Sequence, residues 1–150
     1  MKNGVEQLIR KYLKEGRMLQ IATVDGGQPW SCTVYYASDD DLNLYWISKP
    51  ASRHSREIAQ HAKVAGSIPI KFDDLNVIGI SLEGEAKLAE NVSKVKLYSD
   101  KFKRGEAWHS DFLAGKNEHK LYMIKPKRFV LFDRVNFPDN ERQEWKPDEN

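Results

Sequence analysis

One short segment concentrates the side chains whose types and spacing could do chemistry. Residues 48–56 read SKPASRHSR, so the hydroxyls of Ser48 and Ser52 stand beside the bases Arg53 and His54. A phosphate group carries about −1.5 to −2 charges. It binds well to the free N–H groups at a helix N-terminus and to the planar fork of arginine. The segment therefore predicts a phosphate anchor, and an ordinary capped helix on a solvated basic loop remains the open alternative.

The sequence lacks the usual nucleophile and metal patterns. Its four histidines form no HExxH pair, and it contains neither a GxSxG elbow nor a Gly-rich phosphate loop. Its single cysteine, Cys32, lies among apolar strand residues, a setting typical of a buried and unreactive thiol. We therefore predict no metal site and assign no catalytic residue.

Aromatic residues are frequent on the two predicted strands that precede the anchor segment. They are Trp30, Tyr35, Tyr36, Tyr45 and Trp46. Alternating aromatic residues on strands usually belong to a core, but these strands would also suit a flat, largely apolar ring next to a phosphate. Trp108 stands among polar neighbours in the run EAWHSD, which indicates contact with a ligand or with another subunit.

Composition excludes several classes of protein. The chain has 150 residues, 24 Lys and Arg against 22 Asp and Glu, and a formal net charge of +2. This length is typical of one domain, and the near balance of charge argues against a dedicated nucleic-acid binder. No apolar run approaches the ~18 residues that span a bilayer. The charged N-terminus has no secretory pattern, so we expect a cytoplasmic protein without membrane contact.

Hydrophobic periodicity predicts a mainly β chain. Helical spacing indicates an N-terminal helix within residues 1–16 and a second helix that Asn91 caps and that buries Val92. Polar residues predict a flexible tail over 136–150. Strands are predicted at 18–24, 29–37, 42–48, 63–70, 77–88, 121–124 and 128–133. Short strands bounded by turns are typical of an antiparallel barrel, here of six or seven strands with flanking helices.

The order of these segments resembles a known family. The runs LQIATVDGGQPWSCTVYYASDDDLNLYWIS, KPASRHSREIAQHAKVAGSI, VIGISLEGEAKL and LYMIKPKRFVLFD are similar to the FMN-binding split barrels related to pyridoxamine 5'-phosphate oxidase. The shared features include a Gly turn before a proline, an aromatic strand, and a Ser-x3-Ser-x-basic segment that opens a helix. The similarity is strongest to a small, poorly characterised branch with an Arg-His pair after the aromatic strand.

This resemblance implies a homodimer that holds two FMN molecules in grooves between its barrels. By the resemblance, the residues that edge the flavin ring or its ribityl chain would be Trp46, Ile47 and Ser48. Those that take the phosphate would be Ser52, Arg53 and His54. Those that line the flavin from the neighbouring strand would be Thr33, Val34 and Tyr35. The resemblance also leaves room for Trp108 to come from the partner subunit.

Two functions remain open. The first is a flavin-dependent oxidoreductase of unknown substrate, in which FMN carries the redox chemistry. The second is a non-enzymatic homodimer of the same fold that binds another phosphorylated or planar ligand, such as haem. The second is motivated by His54, since many flavin-binding members have lysine there, and by the lack of an identifiable substrate residue.

Overall fold

The computed structural model describes residues 2–147, which form an antiparallel sheet with four flanking helices. The helices are α1 (Lys2–Glu15), α2 (Arg53–Gln60), α3 (Val95–Lys101) and α4 (Glu106–Leu113). The strands are β1 (Met18–Asp25), β2 (Gln28–Tyr35), β3 (Ala37–Ser38), β4 (Leu44–Ser48), β5 (Lys63–Asp73), β6 (Asn76–Leu88), β7 (Lys120–Asp133) and β8 (Arg142–Trp145). No helix within residues 2–147 has the length and apolar character that a bilayer crossing requires.

The eight strands follow the order β2-β1-β5-β6-β7-β4-β3, and β8 adds to β7. Every pairing is antiparallel. The sheet curls until its edge strand β2 contacts β4, yet these two strands share no ladder of hydrogen bonds. The result is a barrel with one open seam, so the predicted mainly β split barrel is confirmed, with eight strands.

Strict alternation of side chains fills the barrel. In β1, Leu19, Ile21 and Thr23 point inward and are buried, while their neighbours face outward, because successive strand residues point to opposite faces. The amphipathic helix α1 covers one side of the barrel with a buried stripe of apolar residues. It ends at Gly16, whose N–H donates to the Tyr12 carbonyl at 2.8 Å. A side chain at Gly16 would meet Ile68 Cγ2 at only 2.8 Å.

Two prolines lie inside strands that the sequence predicts to end or divide there. The predicted pair of strands 121–124 and 128–133 is one strand, β7, which runs through Pro126. The partner register shifts between Glu83 and Gly84 opposite this proline, and β5 likewise passes Pro69 with a shift in register. Because a bulge removes the need for a ladder N–H, a proline is tolerated there.

The helix predicted from Asn91 begins differently. Asn91 Oδ1 does accept the Ser93 N–H at 3.1 Å, but the next residues, Val92–Lys94, form a single 3₁₀ turn before α3 begins. Val92 is exposed rather than buried. The tighter turn rotates it away from the face that α3 packs against the barrel.

The C-terminal segment also differs from the predicted flexible tail over 136–150. Arg142–Trp145 pairs with Phe129–Phe132 of β7 as strand β8. Trp145 is buried and stacks on the ring of Phe129, with ring centroids 6.1 Å apart. The polar composition gives no strand signal here, because only one of the four residues, Trp145, is buried in the core. Residues 148–150, also part of the predicted tail, lie outside the described residues.

We expect Trp145→Ala to lower the free energy of unfolding by about 3 kcal/mol, because it removes a large buried aromatic side chain and leaves a cavity. Urea denaturation followed by circular dichroism measures this loss. The exposed Val135→Ala serves as control and should change stability by less than about 0.5 kcal/mol. Equal stabilities for the two variants would show that β8 contributes nothing to the fold.

Candidate functional site

The open seam of the barrel forms a groove of about 470 Å³. Its lining residues are Thr33, Val34, Tyr35, Ile47, Tyr98, Arg104, Trp108, Asn117, Glu118 and His119. The structure thus brings together three predicted residues of β2, one of β4, and Trp108. Strands β2 and β4 do not pair with each other, and β3 pairs only with Leu44 and Tyr45 of β4. The outer edge of β2 and residues 46–48 of β4 therefore present main-chain donors and acceptors toward the seam.

Aromatic rings form one wall of this groove. The ring of Tyr35 is half exposed and lies 5.1 Å from that of Phe102. Trp108 stacks between Tyr98 and Phe112, at centroid distances of 6.2 and 5.3 Å. Trp108 therefore lines the groove of its own chain.

Several lining residues were not predicted from the sequence. The helical spacing predicts Tyr98 to be a core residue, and its side chain is mostly buried, although it also lines the groove. The loop residues Asn117, Glu118 and His119 carry no motif. The ion pair between Lys49 Nζ and Glu118, at 2.9 Å, ties this loop to the chain that leaves β4. That contact joins residues far apart in sequence, so no local pattern could have revealed it.

The predicted anchor segment opens helix α2. Ser52 is the N-cap residue, but its hydroxyl donates to the Lys49 carbonyl at 2.8 Å and lies 2.7 Å from Ser55 Oγ, instead of capping a main-chain N–H. The N–H groups of the first turn therefore have no side-chain acceptor from Ser52. Such groups favour an anion at this end of the helix.

His54 is held beside these hydroxyls. Its Nε2 lies 2.7 Å from Ser48 Oγ and 3.4 Å from Ser52 Oγ. Burial lowers the pKa of His54 from its ordinary value of 6.5, although the negative charge of Glu57 opposes this shift. The imidazole is therefore mainly neutral at neutral pH, so it offers hydrogen bonds rather than charge.

Arg53 is held by one residue of α2 and one residue of β2. Its Nε–H donates to Glu57 Oε2 at 2.9 Å, and its guanidinium carbon lies 4.2 Å from the centre of the Trp30 ring. Glu57 is buried, and its other oxygen accepts the Thr23 hydroxyl at 2.7 Å. The hydrogen bond from Arg53, followed by that from Thr23, lowers the pKa of Glu57.

Trp46 is the one predicted site residue whose side chain belongs to the core. It is fully buried and stacks on Tyr122 with ring centroids 5.6 Å apart. Its indole N–H makes no hydrogen bond to any part of the chain that the structure describes. Only the main chain of Trp46 is available to the seam.

The groove and the anchor segment adjoin along β4. Ile47 of this strand lines the groove, and the next residue, Ser48, ends the strand where the anchor segment begins. Arg53 packs on Trp30 of β2, whose side chain points to the opposite face of that strand from Tyr35, because the two lie an odd number of positions apart. The step from Ile47 to Ser48 fits a ligand with a flat ring in the groove and an anionic group toward α2.

A protein-family model described as pyridoxamine 5'-phosphate oxidase matches residues 5–133, which is most of the chain. The match agrees with the resemblance carried by the strand and anchor motifs. No curated protein matches the chain significantly.

Solved structures share the fold at low sequence identity. General Stress Protein 26 from Bacillus anthracis has a TM-score of 0.70 at 18% identity, over 95% of this chain and 98% of that one. A FAD-binding protein from Mesorhizobium loti has a TM-score of 0.63 at 20% identity, over 82% and 90%. A heme binding protein from Mycobacterium smegmatis has a TM-score of 0.71 at 14% identity; 92% of this chain matches 56% of that longer one.

The Arg53–Glu57 pair predicts a pH dependence of stability. A carboxyl whose pKa is lowered by folding stabilises the protein above its unfolded pKa of about 4.5, and this contribution is lost as the pH falls through the lower folded value. We expect Arg53→Met to reduce the loss of stability on acidification, because the pKa of Glu57 then moves back toward its ordinary value. Urea unfolding at neutral pH and below pH 4.5 measures this.

The control for this experiment is Lys63→Met, which removes an exposed cation at the start of β5. It should leave the acid-dependent loss of stability close to that of the unsubstituted protein. An acid dependence equally strong in Arg53→Met would contradict the assigned role of the pair.

Proposed function

Because this chain belongs to the pyridoxamine 5'-phosphate oxidase family, we propose that it binds FMN in the seam groove and acts as a flavin-dependent oxidoreductase. The observation that carries the proposal is the groove itself, which aromatic and hydrogen-bonding side chains line. Strand β4, whose Ile47 lines the groove, ends at Ser48 and leads directly into the segment that opens α2.

The ring system of the flavin fits the chemistry of the groove. The unpaired edge of β2 and residues 46–48 of β4 offer main-chain N–H and C=O groups, which match the alternating acceptors and donors on the pyrimidine edge of a flavin. Tyr35 and Trp108 line the same groove, and flat rings gain from offset stacking on aromatic side chains. Thr33, Val34 and Ile47 would complete the lining.

The phosphate of FMN fits the α2 end. Arg53 would supply donors there, together with the N–H groups of the first helical turn. The hydroxyls of Ser48 and Ser52 bond to His54 and to the Lys49 carbonyl, and either would have to exchange that bond to donate to the phosphate. His54 would contribute a hydrogen bond but little charge, since burial keeps it mainly neutral. Arg53 is therefore the main cationic side chain that we assign to the phosphate.

When bound, FMN supplies hydride or electron transfer, which the side chains of a protein cannot perform alone. The roles left to the chain are to orient the ring against the substrate and to limit its exposure to water. This division explains why the chain can act as an oxidoreductase without a nucleophile motif of its own.

We also propose a homodimer. Strand β2 lies at the sheet edge with most of its side chains exposed, including Trp30 and Tyr35 at 41% and 49%. Large exposed aromatic side chains on an edge strand are typical of a surface that another molecule covers. A second copy placed across β2 would also close the open side of the groove.

One observation favours haem as a second candidate ligand. A neutral, half-buried imidazole is suited to ligate haem iron, and His54 is such a group. Among the structural relatives, one is a heme binding protein and another a FAD-binding protein. Flavin ranks first here because the donors around His54 suit a phosphate group.

The absorbance spectrum of freshly purified protein separates the two ligands. We expect the two visible bands of oxidised flavin, or, if the ligand is lost in purification, quenching of added FMN fluorescence at micromolar concentrations. A Soret band without flavin bands would favour haem. Failure to bind either FMN or haem would overturn both candidates.

Tyr35→Ala should weaken FMN binding about tenfold, which corresponds to the loss of one aromatic stacking contact. Fluorescence titration measures the affinity. Phe72→Ala is the matched control, because Phe72 is an exposed aromatic residue at the tip of the β5–β6 hairpin and lies outside the groove. Equal affinities for the two variants would place the flavin elsewhere.

Ser31→Glu should convert the dimer into a monomer, because it places a charge on the exposed face of β2 that would become buried between two copies. Sedimentation velocity measures the oligomeric state. Ser93→Glu adds the same charge on the 3₁₀ turn and should leave the dimer intact. A monomeric unsubstituted protein at micromolar concentration would refute the dimer.

A further inference from the structure

Two neighbours hold Arg53, and a third residue orients one of them. Glu57, one turn along α2, accepts its Nε–H at 2.9 Å. Trp30 of β2 lies under the guanidinium at 4.2 Å. Thr23 of β1 does not touch Arg53 but donates to the second oxygen of Glu57 at 2.7 Å, so it fixes the direction in which the carboxylate points.

This arrangement leaves one edge of the guanidinium available. Within residues 2–147 only Nε of Arg53 takes part in a hydrogen bond, and the side chain is 41% exposed. The guanidinium is planar and offers its donors in a fixed fork. With Nε engaged and one face on Trp30, the remaining Nη donors can meet two oxygens of a phosphate.

Glu57 is not placed to repel that phosphate strongly. Its side chain is only 9% exposed, and both of its oxygens are already engaged, one by Arg53 and the other by Thr23. Its negative charge is balanced at 2.9 Å by the guanidinium itself. The carboxylate therefore acts mainly on the position of Arg53.

We propose that Glu57, oriented by Thr23, positions Arg53 so that the site selects a phosphorylated flavin over its dephosphorylated form. This inference rests on the proposed function. A free arginine side chain has many rotamers and loses that freedom when it grips a ligand. An arginine already held in its binding orientation avoids most of this loss, and the benefit applies only to a ligand that carries the phosphate.

The test compares FMN with riboflavin, which shares the ring and ribityl chain but lacks the phosphate. The double variant Thr23→Val/Glu57→Leu removes the polar couple without leaving a buried hydroxyl or carboxylate unpaired. We expect its affinity for FMN to fall about tenfold and its affinity for riboflavin to stay unchanged. A purely structural defect would weaken both ligands alike, so the ratio of the two affinities is the decisive readout.

Two further variants support the comparison. Thr23→Val alone is nearly isosteric and should lower the FMN-to-riboflavin ratio in the same direction, whereas Thr23→Ser keeps the hydroxyl and should preserve it. Glu6→Leu is the matched control, since Glu6 pairs with Arg10 across one turn of α1, away from the site. It should leave both affinities unchanged.

The outcomes separate the two levels of the proposal. If the unsubstituted protein binds neither flavin, the proposed function itself fails. If it binds FMN but the double and Thr23→Val variants keep the same affinity ratio, only the positioning role of Glu57 fails. Tighter FMN binding by the double variant would likewise overturn the inference, because it would show that Glu57 acts as a competing anion.

Discussion

The structure depends on a hydrogen-bonding ladder that is not made. Strands β2 and β4 come into contact where the sheet closes on itself, but they do not pair. Buried main-chain groups need partners, so this seam remains stable only while solvent, another chain or a ligand reaches it. The edge strand β2 and the part of β4 that β3 leaves unpaired thereby form a groove with polar main-chain walls, and the helices α3 and α4 supply its aromatic side.

Much of the fold follows from local sequence features. The alternation of Leu19, Ile21 and Thr23 predicts the inner face of β1, and the apolar spacing in α1 predicts its buried stripe. The prolines lead to a wrong prediction of strand ends. Strand β7 continues through Pro126 because its register with β6 shifts there, opposite Gly84, and the sequence around Pro126 does not show this. Trp145 shows the same limit, since its strand is stabilised by Phe129 and not by its own polar neighbours.

The sequence predicts an anion site at the start of α2 but not the geometry of the side chains there. Hydroxyls and an arginine at the start of a helix indicate an anion site from sequence alone. That Arg53 is held by Glu57 follows a helical spacing of four residues, but that Thr23 completes the couple depends on packing between α2 and β1. The burial of Trp46 depends on the direction in which β4 faces the core, a choice of strand face that an aromatic-rich segment does not reveal.

Strand β7 has a consequence for how the chain folds. It pairs with β6, β4 and β8, so it is the central connection of the sheet although it begins at Lys120. During synthesis, β4 is made long before its partner leaves the ribosome, and contacts so distant in sequence form slowly. We therefore expect the nascent chain to expose the edges of β4 and β6 that pair with β7 until translation is nearly complete, so that chaperones have their main access to the protein in that interval.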